Sequence, residues 1–346
     1  MIAAGGTAGH VLPALALAQA LRARGVSVTF AGSPDRIEAD LVPRAGYELD
    51  VYRISGLPRR AGSALLRALA LAARAPLACV RILRRRRPHV VVGGGGYVAG
   101  PMVAAAALLR IPSALLEADA HLGLANRLAA PFAQRIFLAF PIEGREGGKY
   151  RVVGRPIPSG ARPPETPAAR RRFGLPSEGP VVLVLGGSQG SRALNEAALA
   201  AFAESGPAVL HLAGEAHFAE VRERVSRDGY VVVGFTDEVG AALAAADLVV
   251  ARAGGSVWEL AAAGKPALLV PYPHATGDHQ TKNARFFERQ GGAIVAGESG
   301  LDLRQSVEEL LADSDRRERM AEAMRRVARP DAADRIAEEV IALASA

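Results

Sequence analysis

Short apolar runs alternate with longer alanine- and leucine-rich runs along most of the chain. Runs such as VVVGG, SALLE, VVLVLGG and PALLVP have the length and the β-branched content of buried strands, and the runs between them have the length of helices. Strands that alternate with helices are typical of βαβ units, whose strands are parallel. The pattern therefore predicts an α/β fold built on parallel sheets.

Two halves of the chain repeat one pattern. IAAGGTAGHVLPALALAQAL near the start and LVLGGSQGSRALNEAALAAF from Leu183 both read as an apolar strand, a Gly-Gly-x-x-Gly turn and a helix. Residues 154–180 between them are rich in proline and arginine, as linkers often are. The 346 residues, half of them hydrophobic, are enough for two cored domains. We predict two similar domains, at 1–158 and 159–330.

Two further glycine-rich turns, GGGGYVAG after Val92 and RAGGS at 252–256, also follow predicted strands. Glycine in such a turn lets backbone N–H groups approach an anion at the positive end of a helix. No turn is a complete GxGxxG, and GxxxxGK[ST] does not occur, which argues against an NAD site and a P-loop. Glycines of this kind serve tight turns only, or they make room for a ligand that carries phosphate. The presence of four such turns in one chain favours the phosphate ligand.

The formal net charge of +7 is carried almost wholly by arginine. It suits nucleic acid, anionic lipid or phosphate ligands, or it reflects codon composition alone. The single cysteine, Cys79, excludes an internal disulfide and a cysteine metal site. A signal-like segment and an uncharged apolar run of about 20 residues are both missing, so we expect a protein of the reducing cytoplasm without a spanning helix.

Four segments resemble, in order and spacing, the motifs of the MurG family of glycosyltransferases. This family, part of glycosyltransferase family 28, transfers N-acetylglucosamine from UDP-N-acetylglucosamine to lipid I and so makes lipid II. The segments are GGTAGHVLPALALAQAL, GGGGYVAGP, GGSQGSRALN and RAGGSVWELAAAGKPALLVPYPHATGDHQTKNA.

The resemblance implies a GT-B fold, in which two Rossmann-like domains with parallel sheets face a central cleft. Domain 1–158 would hold the lipid-linked acceptor, and domain 159–330 would hold the UDP-sugar. The C-terminal helix, 331–346, would pack back on the first domain. The reaction would invert the anomeric carbon and join it to the C4 hydroxyl of N-acetylmuramic acid.

His10 and Glu259 are the catalytic candidates. His10 ends the first glycine turn. The unperturbed pKa of histidine, about 6.5, is close to neutral pH and therefore suits a general base. His10 acts as the base, positions the substrate, or only helps to open the helix. Glu259 matches a family glutamate that holds the ribose hydroxyls of UDP, although Ser256 and Glu259 also have the spacing of a capping box.

The resemblance places the UDP-sugar on the C-terminal half. Ser188 and Gln189 would meet the pyrophosphate, Phe235 and Thr236 the uracil, and His279 with Gln280 the sugar. An alternative for His279 is a plain helix start capped by Asp278. The predicted donor-binding residues are Gly187, Ser188, Gln189, Gly190, Phe235, Thr236, Arg252, Gly255, Ser256, Glu259, His279 and Gln280.

Two family motifs are altered, the first on the acceptor side and the second at the hinge between the two domains. The family's Glu-Gln-Asn reads Glu117-Ala118-Asp119, and its Gly-Asn-Pro-Val-Arg reads 154-GRPIP-158, so a contact of Arg155 with a donor phosphate is left open. The predicted acceptor-binding residues are Thr7, Ala8, Gly9, His10, Gly95, Tyr97, Asp119 and Asn126.

The segment RRAGSALLRALALAARAPLACVRILRRRRP carries arginines at 60, 67, 74 and 81, followed by a basic cluster at 84–87. We predict a helix that Pro76 breaks in two. Its periodicity suits an amphipathic helix that covers the sheet. The lipid acceptor favours instead a surface that lies on anionic lipid, and thus peripheral attachment to the cytoplasmic face of the membrane.

The expected partners are UDP-N-acetylglucosamine, lipid I and an anionic membrane surface, with no nucleic acid. We expect no cofactor and no metal, because no Asp-x-Asp ends a strand and Asp313-Ser314-Asp315 reads as a turn. Three alternatives remain open. They are a UDP-N-acetylglucosamine 2-epimerase, a non-catalytic subunit that binds nucleotide sugars and, last, an NAD-dependent oxidoreductase.

Overall fold

The computed structural model describes residues 1–56, 62–158 and 165–345 and divides the chain into two compact units. Unit 1 consists of residues 1–158 and 330–346, and unit 2 consists of residues 159–329. Each unit has its own parallel sheet flanked by helices. The predicted α/β fold with two Rossmann-like units is confirmed.

The described residues of unit 1 contribute seven strands to one parallel sheet. They are β1 (Ile2–Ala4), β2 (Thr29–Gly32), β3 (Glu48–Val51), β4 (Val91–Gly95), β5 (Ser113–Glu117), β6 (Arg135–Leu138) and β7 (Tyr150–Val152). Their order across the sheet is β3-β2-β1-β4-β5-β6-β7. The winding reverses between β1 and β4, and open α/β sheets bind ligands at the carboxyl ends of strands at such a point.

The helices of unit 1 connect these strands and bury apolar faces against the sheet. Within 1–158 they are α1 (Ala8–Ala23), α2 (Glu38–Arg44), α3 (Ser63–Arg86), α4 (Ala99–Leu108) and α5 (Leu124–Ala129). In α1, Val11, Ala14 and Leu17 are fully buried and pack with Ile2 of β1 and Val92 of β4. This packing fixes the start of α1 at the carboxyl end of β1.

Helix α3 is continuous through Pro76, so the predicted break is wrong. Proline removes one backbone hydrogen bond, but Ala75 before it and Cys79 and Leu83 after it are buried in one core cluster, which holds both halves in line. Of the predicted arginine stripe, Arg74 and Arg81 are exposed on this helix. Arg60 and the side chain of Arg67 lie outside the described residues.

Unit 2 repeats the architecture of unit 1 with six strands in its described part. They are β8 (Val181–Leu185), β9 (Ala208–Leu212), β10 (Tyr230–Val233), β11 (Leu248–Ala251), β12 (Ala267–Leu269) and β13 (Ala293–Val295). The order is β10-β9-β8-β11-β12-β13, so the winding reverses between β8 and β11. The four predicted glycine-rich strand-to-helix turns follow β1, β4, β8 and β11, the strands on either side of the two reversals.

The helices of unit 2 include one correction to the sequence prediction. Asp313 lies where a turn was predicted, but its side chain accepts a hydrogen bond from the N–H of Arg316 at 2.8 Å and caps a helix. The helices are α6 (Thr166–Arg172), α7 (Arg192–Phe202), α8 (Phe218–Glu223), α9 (Val239–Ala245), α10 (Val257–Ala262), α11 (His279–Arg289), α12 (Leu303–Ala312) and α13 (Ser314–Val327).

The last helix, α14 (Ala332–Ala344), belongs to unit 1. Its Ile336, Ala337 and Val340 are buried in the same core cluster as Val11 of α1. Arg24 at the end of α1 pairs with acidic residues of α14, at 2.7 Å from Asp334 and 3.2 Å from Glu338. Within the described residues, no helix combines the length and the apolar character needed to cross a membrane.

Candidate active site

His10 lies in the first turn of α1, at the carboxyl end of β1. Thr7 precedes the helix in an extended conformation, and its Oγ1 lies 3.2 Å from Nδ1 of His10. The hydroxyl oxygen can accept a hydrogen bond from Nδ1–H. That arrangement leaves Nε2 as the proton-accepting nitrogen of the neutral imidazole.

The turn after β4 packs against the His10 ring. A Cβ atom on Gly95 would lie 2.6 Å from Cδ2 of His10. A Cβ atom on Gly96, whose φ is +75°, would lie 2.1 Å from the carbonyl oxygen of Gly5. Both positions therefore require glycine, and the two glycine turns of unit 1 meet around His10.

Glu38, which the sequence analysis missed, supports the first glycine turn. Its carboxylate is fully buried and accepts hydrogen bonds from the N–H of Gly6 at 2.9 Å and the N–H of Ser33 at 3.0 Å. The N–H of Gly6 is thus used inside the protein. A helix leaves its first N–H groups without intrahelical acceptors, so Ala8 and Gly9 are the donors that remain for an anion at α1.

The predicted acceptor residues Asp119 and Asn126 lie on a loop that Glu117 organises. Glu117 ends β5, and its carboxylate accepts hydrogen bonds from the N–H of Asp119 at 3.3 Å, the N–H of Gly123 at 2.9 Å and Nδ2 of Asn126 at 2.9 Å. Burial raises the pKa of Glu117 to about 7. The altered residues Ala118 and Asp119 therefore follow a glutamate that holds this loop in place through its hydrogen bonds.

Tyr97 follows the turn after β4 and is half-buried. A Cβ atom on Gly6 would lie 3.0 Å from its ring, so the ring covers the first glycine turn. Unit 1 thus brings together Thr7, His10, Gly95 and Tyr97 at the switch between β1 and β4.

In unit 2 the turn after β8 carries Ser188 and Gln189 at its exposed tip. The turn is anchored at Gly190, whose φ is +75° and where a Cβ atom would lie 2.1 Å from the carbonyl oxygen of Ala213. Ser191 then caps α7 by accepting a hydrogen bond from the N–H of Leu194. Rigid anchoring beside an exposed, helix-opening turn suits a phosphate site.

A buried polar network supports this turn from β9 and β10. Asn195 donates to the carbonyl of Ala213 at 3.0 Å and accepts through Oδ1 from Nε2 of His211 at 2.9 Å. Nδ1 of His211 then accepts from the hydroxyl of Tyr230 at 2.9 Å. Burial lowers the pKa of His211 to about 4, so the ring is neutral at pH 7. Sequence analysis did not single out His211.

Arg252 lies in the interior at the end of β11. Its guanidinium donates to Oγ of Ser191 at 3.0 Å, to the carbonyls of Val270 and Pro271 at 3.1 and 3.2 Å, and to Glu298 at 2.5 Å. These bonds use four of its five N–H groups. Arg252 therefore ties together the ends of β8, β11 and β12, and its contact with the donor stays a prediction.

Ser256 and Glu259 flank the start of α10 beside Gly255. Ser256 has a helical backbone conformation, and its side chain makes no capping hydrogen bond, so the capping-box alternative is wrong for Ser256. Glu259 lies in the first turn of α10 and is half-buried. A carboxylate in this place can accept hydrogen bonds from a diol such as ribose.

His279 and Gln280 open α11. Asp278 makes no side-chain capping hydrogen bond, so the predicted cap is wrong, whereas the helix does begin at His279 as that alternative expected. Nδ1 of His279 lies 2.9 Å from the carbonyl of Thr276 and therefore carries a proton. Oε1 of Gln280 accepts from the N–H of Tyr272 at 2.9 Å, which leaves its amide nitrogen as the group for a ligand.

Phe235 and Thr236 follow β10. The Phe235 ring is 51% exposed, and Oγ1 of Thr236 accepts from the N–H of Glu238 at 3.0 Å. An exposed aromatic ring beside a fixed turn can stack on a base. Among the described residues, no three side chains of His, Cys, Asp or Glu form a group that could hold a metal ion.

Comparison with known proteins adds to this geometry. Residues 1–138 match the model of the glycosyltransferase family 28 N-terminal domain, and residues 181–336 match that of its C-terminal domain. A protein of Acidithiobacillus ferrooxidans, named UDP-N-acetylglucosamine–N-acetylmuramyl-(pentapeptide) pyrophosphoryl-undecaprenol N-acetylglucosamine transferase, is 44% identical over 97% of this chain and 95% of its own length. A protein of the same name from Salinibacter ruber is 43% identical over 99% of this chain and 96% of its own length.

Among solved structures, MurG of Acinetobacter baumannii aligns with a TM-score of 0.79 and 28% identity, covering 99% of both chains. The two family models thus match parts of both units, and the relatives and the MurG structure align over nearly the full length of the chain. The chain belongs to glycosyltransferase family 28 and, within it, to the MurG family of N-acetylglucosamine transferases.

Proposed function

We propose that this enzyme transfers N-acetylglucosamine from UDP-N-acetylglucosamine to the C4 hydroxyl of N-acetylmuramic acid in lipid I, forming lipid II for peptidoglycan. Through that step it would contribute to cell shape and cell division. The observation that carries the proposal is His10, which is held between Thr7 and the turn after β4 at the switch of the unit 1 sheet. Family membership supports the substrate pair.

The mechanism follows from the groups that surround His10. Nδ1–H donates to Oγ1 of Thr7, and Nε2 accepts the proton of the C4 hydroxyl as its oxygen attacks the anomeric carbon. The oxygen attacks from the face opposite UDP, so the configuration inverts. The N–H groups of Ala8 and Gly9 at the start of α1 supply partial positive charge for the acceptor's pyrophosphate.

In unit 2 the donor is held by the turns after β8 and β11. The turn with Ser188 and Gln189 supplies backbone N–H groups and a hydroxyl to the leaving diphosphate, and its helix α7 adds the positive end of a helix dipole. Glu259 accepts from the ribose, and Gln280 and His279 bind the sugar hydroxyls. The N–H groups and the hydroxyl of the turn after β8, together with the start of α7, balance the negative charge of UDP as it leaves, so the proposal includes no cofactor.

The test is UDP release with and without a soluble lipid I analogue, with the disaccharide product identified by mass spectrometry. We expect release to depend on the analogue. His10→Ala should lower kcat by at least about 100-fold and leave UDP binding within twofold, since general-base catalysis contributes 10²–10⁴-fold. His89→Ala, an exposed histidine just before the amino end of β4, is the matched control. Normal turnover of His10→Ala would remove His10 from the mechanism.

The 2-epimerase and the binding subunit predict other outcomes in the same assay. An epimerase would convert or hydrolyse the UDP-sugar without the analogue, and a binding subunit would bind the UDP-sugar without turnover. Neither alternative is favoured, because the relatives that match over nearly their full length carry the transferase name.

We further propose that α3 attaches the protein to the cytoplasmic face of the membrane. Leu66 and Leu77 are 70% and 63% exposed. Eleven residues at about 100° each place them within about 20° of each other around the helix, with Arg74 and Arg81 within about 60° of Leu77. Exposed leucines beside arginines suit the boundary of an anionic bilayer.

Sedimentation with vesicles tests this surface. Wild-type protein should bind phosphatidylglycerol vesicles, and Leu77→Glu should weaken binding at least about fivefold because it places a charge on the apolar face. Phe218→Glu, at an exposed aromatic residue of unit 2, is the control and should bind as the wild type does. Equal binding of Leu77→Glu and wild type would contradict the proposal.

A further inference from the structure

Pro13 interrupts the hydrogen bonding of α1. In an α-helix the N–H of residue 13 donates to the carbonyl of residue 9, but proline has no N–H. The carbonyl of Gly9 therefore lacks the donor that helix geometry provides to its neighbours. Gly9 directly precedes His10, so this carbonyl lies in the turn that carries the proposed base.

Arg155 supplies a donor to this carbonyl. Its Nη2 lies 2.8 Å from the carbonyl oxygen of Gly9, and the residue is only 7% exposed. A hydrogen bond from a guanidinium is stronger than one between neutral groups, and burial shields it from water. Arg155 lies in the last segment of unit 1 before the boundary at residue 158, far from Gly9 in the sequence.

The His10 ring has little room for movement. It contacts the backbone of Gly95 and Gly96 on one side, and its Nδ1 is within hydrogen-bond distance of Thr7. A shift of the first turn of α1 would change both contacts. The orientation of the imidazole thus depends on what holds the Gly9 carbonyl.

We propose that Arg155 is a positioning residue for the transfer reaction. Its guanidinium replaces the hydrogen bond that Pro13 cannot donate, which fixes the first turn of α1 and the position of His10. The inference rests on the proposed function and gives Arg155 a role on the acceptor side, in place of the donor-phosphate contact left open by the sequence.

Two substitutions test the pairing of Arg155 with Pro13. Arg155→Met keeps an unbranched side chain but removes the guanidinium and all of its donors, and Pro13→Ala gives residue 13 an N–H that can donate to Gly9. We expect Arg155→Met to lower kcat about tenfold or more with the Kd of UDP-N-acetylglucosamine within twofold, because small misplacements of a catalytic group are costly. Pro13→Ala alone should turn over as the wild type does, and the double variant should regain kcat to within about threefold.

Either of two results would overturn the inference. Unchanged kcat in Arg155→Met would show that the contact has no part in turnover. A loss that Pro13→Ala does not restore, accompanied by weaker UDP-sugar binding, would place Arg155 on the donor phosphate. If Arg155→Met fails to fold, Arg155→Leu, which also lacks every donor, is measured in its place with and without Pro13→Ala and should show the same loss and the same recovery.

Hydrogen–deuterium exchange of the peptide covering residues 7–14 separates this inference from the proposed function. Arg155→Met should speed exchange there, and the added Pro13→Ala should reverse the increase. If the wild type shows no acceptor-dependent UDP release, the proposed function fails, while the exchange pattern still decides whether Arg155 holds this turn. Unchanged exchange in Arg155→Met would overturn the inference in either case.

Discussion

Glu38 and Glu117 are buried carboxylates that accept hydrogen bonds from backbone N–H groups in unit 1, Glu38 from the loops after β1 and β2 and Glu117 from the loop after β5. Glu38 holds the turn that precedes His10, and Glu117 holds the loop that carries Asp119 and Asn126. Residues of this kind determine where the site lies without belonging to a recognisable motif. The conformation of such a loop therefore depends on the buried carboxylate that accepts its N–H groups as well as on the glycines within the loop.

The raised pKa of Glu117 gives a prediction about pH and stability. Its pKa is about 7 in the folded protein against 4.5 in the unfolded reference, so between these values the folded state binds more protons and the free energy of unfolding falls as pH rises. The full cost, about 3 kcal/mol, is present above pH 7 and absent below pH 4.5.

Glu117→Gln should remove this dependence. Urea unfolding at pH 5 and pH 8 should show that the wild type loses stability relative to Glu117→Gln as pH rises. Glu146→Gln, at an exposed position, is the control and should follow the wild-type curve. Parallel curves for wild type and Glu117→Gln would show that the carboxyl does not titrate in this range.

Whether a site residue could be predicted from the sequence depended on how far along the chain it lies from the residues that it contacts. His10 was identified because it adjoins a glycine turn and a family motif. Glu38 lies 32 residues from Gly6, and no local pattern connects the two. Its role depends on the pairing of β1 with β2, which only the folded sheet brings about.

At the scale of elements, the glycine turns were predictable because a positive φ and a close backbone approach both exclude a side chain. Gly190 shows both, and we expect Gly190→Ala to displace the turn after β8 and to weaken UDP binding at least about tenfold. Calorimetric titration with UDP measures this.

Gly174→Ala is the matched control for Gly190→Ala. Gly174 has a φ of +66°, but a Cβ atom on it would meet no other described atom within 4 Å, so alanine there costs backbone strain of about 1 kcal/mol without a steric conflict. UDP binding should be unchanged. If both variants bind UDP as the wild type does, the turn after β8 does not hold the diphosphate.

Helix α3 shows where the prediction from elements fails. Proline predicts a break when local hydrogen bonding alone is considered, but burial on both sides of Pro76 outweighs one lost bond. Burial against α4 is a tertiary property, so the sequence pattern could not weigh it.

At the scale of the whole molecule, alternation of strands and helices predicted parallel sheets, and the repeated glycine-turn pattern with the chain length predicted two units. The strand order across each sheet and the return of α14 to unit 1 do not follow from that pattern, and the return was expected only from the family resemblance. Packing of α14 on α1 needs contacts between residues more than 300 positions apart.

The contribution of α14 to unit 1 can be measured with Ile336→Ala. Ile336 is fully buried in the core of unit 1, so the substitution should lower the free energy of unfolding by about 2–5 kcal/mol. Ile37→Ala, at an exposed isoleucine, should cost less than about 1 kcal/mol. UDP binding by unit 2 should survive in Ile336→Ala, and equal stability of the two variants would show that α14 adds little.

The return of α14 also has a consequence for synthesis on the ribosome. Ile2 of β1 is translated more than 300 residues before Val340 of α14, yet the two residues share one hydrophobic core. Domains of most multidomain proteins complete their cores in the order of translation. Here the core of unit 1 is completed only after the whole of unit 2 has been translated. Until then the apolar face of α1 that α14 covers is exposed, and exposed apolar surface of this kind is what chaperones bind.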